Sequence, residues 1–138
     1  MIILRIGSLA LISLILSLSV SGGTRIDPAG IAGTFILSLE EKNKNAIEEF
    51  VKIAGKEAKI LILNLDASAK ANDQKQYLID KMPDAKVVGL TDDHFKSELK
   101  EANAVWLVGQ NPKNFKTLTE LEAFRSFLKR STIVGAGG

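Results

Sequence analysis

The chain has 138 residues, a formal net charge of +2 and no cysteine. That length holds one hydrophobic core and hardly two, since single domains typically occupy roughly 100–200 residues. The lack of cysteine excludes thiol catalysis, cysteine-based zinc sites, disulfides and a lipoprotein anchor, and the interleaving of acids with bases leaves no phosphate-binding face, so nucleic acid is not an expected partner.

Residues 1–5 carry one positive charge, and residues 6–20 form an apolar, serine-containing run without charge. Ser19-Val20-Ser21 supplies the small residues that a signal peptidase reads, so residues 1–21 are expected to be a signal peptide cleaved near Ser21. The alternative is a retained membrane anchor, for which the run is short, a span needing ~20 apolar residues. Either way the folded part, residues 22–138, is expected outside the cytoplasm, secreted or periplasmic, with the membrane touched only through the leader.

From Thr24 onward, short apolar runs alternate with stretches of helical period. Residues 31–38 (IAGTFILS) read as a strand. Residues 40–54 then place Ile47, Phe50, Val51 and Ala54 on one helical stripe that Gly55 closes. Residues 58–65 (AKILILNL) are apolar with little alternation, as in a strand covered on both faces. A helix over 73–82 turns Tyr77, Leu78 and Met82 inward and ends at Pro83. Residues 86–90 (KVVGL) form a third strand. Asp92 or Asp93 is placed to cap a short helix running to Ala102, before a fourth strand over 103–108 (NAVWLV). Thr117 and Glu120 have capping-box spacing, Leu118, Leu121, Phe124 and Leu128 share one face as far as Arg130, and residues 132–134 begin a fifth strand.

Strands alternating with helices predict right-handed crossovers and a doubly wound, mostly parallel sheet in a three-layer α/β/α sandwich, truncated after the fifth strand. Ligands of such sheets sit at the loops leaving the carboxyl ends of the strands. Here those loops hold Glu40 and Glu41, Asp66 and Ser68, Asp92 and Asp93, Gly109-Gln110-Asn111, and Gly135-Ala136-Gly137-Gly138.

Pro28-Ala29-Gly30, the phrase EEFVKIAGKEAKILILNLDAS (48–68), the phrase LKEANAVWLVGQNPKNF (99–115) and the terminal FLKRSTIVGAGG follow one another in an order that resembles cyanophycinases and dipeptidase E-like enzymes. These are serine peptidases on the class I glutamine amidotransferase-like fold, and the resemblance runs from Pro28 to the end of the chain. It implies a nucleophile elbow at Gly135-Ala136-Gly137-Gly138, where a sharp turn would lift a serine hydroxyl above the sheet. The nucleophile position falls on Gly137, which has nothing to attack with, and the family's general-base histidine lies downstream of the elbow. No catalytic residue is therefore assigned. The family's substrate-contacting glutamine matches Gln110 or Asn111, leaving both open.

Asp66, Ser68, Gly109, Gln110 and Asn111 are the expected substrate-binding positions, each with a structural alternative. Asp66 fits an Asx-turn, and Ser68 a backbone hydrogen bond in the next turn. His94, the one histidine, starts a polar helix with no nucleophile nearby in sequence and is expected to be exposed or structural. Trp106 is expected in the core. No cofactor or metal is expected. Two functions follow: an exported, cyanophycinase-like peptidase-family domain without activity in this chain, or a complete, non-catalytic module that binds a small peptide-like ligand or a partner. A fifth strand without a covering helix would leave an exposed sheet, which homo-oligomerisation would hide.

Overall fold

The computed structural model describes residues 2–7, 32–40, 42–130 and 133–137. Among the described residues, six strands and five helices follow in chain order: β1 (Ile2–Gly7), β2 (Ala32–Ser38), α1 (Lys44–Ala54), β3 (Ile60–Asn64), α2 (Ala69–Lys81), β4 (Lys86–Gly89), α3 (Phe95–Glu101), β5 (Ala104–Val108), α4 (Pro112–Glu120), α5 (Glu122–Arg130) and β6 (Ile133–Gly137). The strands form one sheet in the order β1-β2-β6-β5-β3-β4. Strands β2 to β6 are all parallel, as the alternation of strands and helices predicts. The expected cleavage point at Ser21, the Pro28-Ala29-Gly30 phrase and Gly138 lie outside the described residues.

Side-chain alternation along each strand sends neighbours to opposite faces and so builds two cores. On one face Ile36, Ile62, Ala104, Trp106 and Val108 pack under α1 and α2. On the other, Phe35, Leu61, Leu63, Val105, Leu107 and Val134 pack under α3, α4 and α5. The chain steps one way along the sheet from β2 to β3 to β4, then back to β5 and β6. Crossovers of a single hand must then change face at the reversal, which is why the helices divide two and three.

Helix boundaries follow side-chain caps rather than the apolar stripe alone. α1 starts after Asn43, whose side chain accepts from Ala46 N at 3.0 Å, so the acidic pair at 40–41 precedes the helix. α2 begins four residues before the expected Asp73, because Ser68 caps it by accepting from Ala71 N at 3.2 Å. Neither Asp92 nor Asp93 is the N-cap of α3, a position that His94 holds without a side-chain bond. The Asp92 carboxylate turns back to accept from Gly89 N at 2.6 Å. The helix expected from Thr117 is two helices that meet at Leu121, and the capping-box reading fails there: Thr117 Oγ1 donates to Lys113 O at 2.9 Å from inside α4.

Two further differences concern the ends of the sheet. The segment Ile2–Gly7, read from sequence as the front of a leader, pairs antiparallel with β2 from Ile2↔Leu37 to Gly7↔Ala32. β6, the strand expected to leave an exposed sheet face or edge, lies between β2 and β5 with both sides paired, so it exposes no edge. The edges among the described residues are β1 and β4.

Candidate functional site

Adjacent parallel strands whose following helices go to opposite faces open a crevice at their carboxyl ends. β3 and β5 are such a pair: β3 leads to α2 on one face and β5 to α4 on the other. The two loops that part there carry Asp66 and Ser68, and Gly109, Gln110 and Asn111. Sequence reasoning placed all five at strand ends, and the sheet order brings them side by side. They are pinned by Leu65 N donating to Val108 O at 2.8 Å and by Asn114 Nδ2 donating to Leu65 O at 2.8 Å.

Gly109 is the hinge of the crevice. Its φ of +94° is left-handed, and a side chain there would meet the Asp66 backbone N at 3.0 Å and run into Asp66 Cβ, so only glycine lets the loops close on each other. Asp66 holds an Asx-turn: Oδ1 accepts from Ser68 N at 3.0 Å and Oδ2 from Ser68 Oγ at 3.1 Å. Asn111 caps α4, its Oδ1 accepting from Lys113 N and Asn114 N at 3.1 Å each, with Pro112 in the first turn where its missing N–H costs nothing. Of the two amides left open by the sequence, Asn111 is thus engaged in the fold, whereas Gln110 lines two cavities.

The larger cavity, about 370 Å³, lies over the ends of β2, β6 and β5, with walls from Leu37, Leu107, Pro112, Phe115 and Ala136. The smaller, about 60 Å³, is bounded by Asp66, Ser68, Lys70 and Gln74. Gly109 and Gln110 belong to both. Two wall residues escaped the sequence reading. Ser38 is buried, its Oγ donating to Glu40 O at 2.8 Å and accepting from Glu40 N at 3.2 Å. Gln74 is buried and reaches from α2 to donate from Nε2 to Gly137 O at 3.2 Å. A serine closing a β-strand and a glutamine on the apolar side of a helix were the available signals, and both are weak without the topology.

The glycine-rich end of the chain differs from the elbow reading. Gly135, Ala136 and Gly137 lie in β6 itself, paired with Ile36, Leu37 and Ser38, while Gly138 lies outside the described residues. Strand pairing wins because Gly135 faces the Trp106 ring, where any side chain would collide, so the glycine serves packing rather than a turn. Trp106 is in the core as expected, 1 % exposed, with Phe50 edge-on at 5.1 Å, and its Nε1 has no hydrogen-bond partner among the described residues.

His94 is exposed and borders a separate cavity with Lys86, Asp92, Asp93 and Glu98, which shares no residue with the crevice. It follows β4, three strands from β6, or roughly 14 Å at about 4.8 Å per strand. At the opposite end of the sheet a cavity of about 170 Å³ is bordered by Lys59, Lys86, Glu98 and Glu101. These charges are already paired, Lys59 to Glu101 at 3.2 Å and Lys86 to Glu98 at 2.9 Å. The Glu98 hydrogen bond and charge raise the Lys86 amine above its usual range, and Lys59 lowers the Glu101 carboxyl in the same way. Among the described residues no three His, Asp or Glu side chains gather to hold a metal, and no helix is long and apolar enough to cross a membrane.

Fold and crevice together define a doubly wound α/β domain with a ligand-sized opening at its strand ends. Comparison with protein families, with curated proteins and with solved structures finds no match to the chain.

Proposed function

We propose that this chain is a non-catalytic domain derived from a cyanophycinase-like peptidase and that it binds a small peptide-like ligand in the crevice at Gly109 and Gln110. The observation that carries the proposal is an opening of ligand size in the place where doubly wound sheets bind ligands, with no serine–histidine pair among the described residues that border it. The hydroxyls nearest the crevice are Ser38 and Ser68. The first is committed to Glu40 O and the second to the Asp66 carboxylate, with no histidine to accept a proton from either. Binding, rather than acyl transfer, is what these groups can do.

Losing members of a Ser-His-acid triad leaves roughly 10³–10⁴-fold acceleration over water, far below enzymic rates. The purified chain is therefore expected to show no measurable hydrolysis of aspartyl dipeptides or cyanophycin and no labelling by fluorophosphonates. Gly137→Ser should not restore activity, because the only histidine is three strands away. Turnover abolished by Ser68→Ala or His94→Ala would overturn the proposal.

Export is the second part of the proposal, carried by the uncharged run over 6–20. The pairing of β1 with β2 weighs against it, since cleavage at Ser21 would remove an edge strand and expose β2. Intact mass decides: a mature protein beginning at or near Gly22 outside the cytoplasm is the expected result, and soluble material retaining Met1 would rule cleavage out.

A further inference from the structure

We infer that the two adjoining cavities form one site for a primary ammonium carried on an apolar body, an assignment that rests on the binding reading above. It follows from a half-buried carboxylate set against an apolar compartment. Asp66 borders the smaller cavity and accepts from two neutral donors, Ser68 N at 3.0 Å and Ser68 Oγ at 3.1 Å. It enters none of the ion pairs among the described residues. Its Cβ lies directly against Gly109, whose missing side chain lets Asp66 come up to the wall that both cavities share. Beyond Gly109, Leu37, Leu107, Pro112, Phe115 and Ala136 supply apolar surface in the cavity of about 370 Å³.

A carboxylate drawn partly out of water favours an opposite charge beside it, and the two Ser68 donors use only half of its roughly four lone-pair sites. An ammonium brings that charge together with its own N–H donors, and hydrogen bonds between ions are about twice as strong as neutral ones. The smaller cavity holds about 60 Å³, room for one such head at about 30 Å³ for a water-sized group. Lys70, which also borders it, makes an interaction of its own and is not asked to bind. An apolar body on the head passes Gly109 into the larger cavity, where each methylene that leaves water tightens binding roughly fourfold. Two kinds of molecule present this chemistry: a free amine, and the N-terminus of a peptide whose first side chain is apolar. The exposed Gln110 amide borders both cavities and offers a donor and an acceptor to a first peptide group, which favours the second.

The test is a titration of the ¹⁵N-labelled full chain, followed by amide shifts and by its melting temperature. Isopentylamine and leucylglycinamide are both expected to move the Gly109 and Gln110 amides saturably. Tighter binding of the peptide assigns the site to peptide N-termini, and equal or tighter binding of the amine assigns it to free amines. Isopentanol and N-acetyl-leucylglycinamide lack the ammonium and ethylamine lacks the body, so each should bind about tenfold more weakly or worse. Asp66→Asn, which keeps the Oδ1 acceptor of the turn, should weaken isopentylamine about tenfold and leave isopentanol as it was, with the melting temperature nearly unchanged. The compound series on the parent chain decides even where that variant folds poorly. Isopentanol or ethylamine binding as tightly as isopentylamine, or an Asp66→Asn chain that binds the amine normally, would overturn the assignment. N-acetyl-leucylglycinamide moving those amides where the two ammonium compounds do not would overturn the ammonium assignment and keep the binding reading. If none of the compounds moves them, both fall.

Discussion

Ile62→Asp is expected to cost about 3–5 kcal/mol of folding stability, enough to unfold much of a domain whose total is typically about 5–15 kcal/mol. Ile62 is fully buried in the middle of β3, between Val87 of β4 and Trp106 of β5, and its side chain belongs to the core under α1 and α2. A carboxylate there finds no cation among the described residues of that core, whose one unpaired donor is the neutral Trp106 Nε1, so it must either stay ionised with little to replace its hydration or take up a proton, and both oppose folding. Ile62→Val is the control, expected to cost about 1 kcal/mol because it removes only one methyl group. Denaturant melts of the two variants check this, and a loss below about 1 kcal/mol for the aspartate would place Ile62 outside the core.

Gly135→Ala is expected to be nearly as damaging, about 3 kcal/mol, although it adds a single methyl. The new carbon would lie at 2.5 Å from Trp106 Cζ3 and closer still to Cε3, well inside contact distance. The indole has little room to yield, with Phe50 against it at an interplanar angle of 84° and 1 % of its own surface exposed. β6 cannot retreat either, since it is paired on both sides. Overpacking a close-packed interior typically costs about 1–3 kcal/mol, and a methyl wedged between two fixed groups belongs at the upper end. Combining Gly135→Ala with Trp106→Leu should cost less than the sum of the single changes by about 0.5–3 kcal/mol, because the smaller side chain leaves space for the methyl. Additive losses in that cycle, or an alanine variant within about 0.5 kcal/mol of the parent, would show that the glycine is not there for the tryptophan.

The substitution also bears on the resemblance to cyanophycinase-like peptidases. In an elbow, small residues surround a nucleophile because the turn is tight. Here Gly135 and Gly137 are strand residues: the first makes way for Trp106 and the second pairs with Ser38 while its carbonyl accepts from Gln74. The same glycine-rich phrase reads as a turn or as a packed strand until its neighbours are known.

What the sequence by itself determined was local. The stripe of Ile47 and Phe50, the dense apolar runs around Ile62 and Trp106, and the Gly and Pro punctuation specify which segments are strands and which are helices, because periodicity and breakers act within one or two turns of chain. From the alternation of these segments the parallel, doubly wound sheet follows, and with it the end of the sheet where a ligand belongs. Cap positions were legible only in part: Ser68 and Asn111 were both noticed as site candidates, yet their roles as caps depend on which oxygen reaches which N–H. Tertiary structure alone decided the order β1-β2-β6-β5-β3-β4, the addition of Ile2–Gly7 as an edge strand and the interior place of β6. It also decided that Gln110 lines the crevice while Asn111 serves the helix. These outcomes rest on pairings and contacts between residues far apart in the chain, such as Gly135 against Trp106 and Gly109 against Asp66, whose steric terms have no signature in either segment read alone.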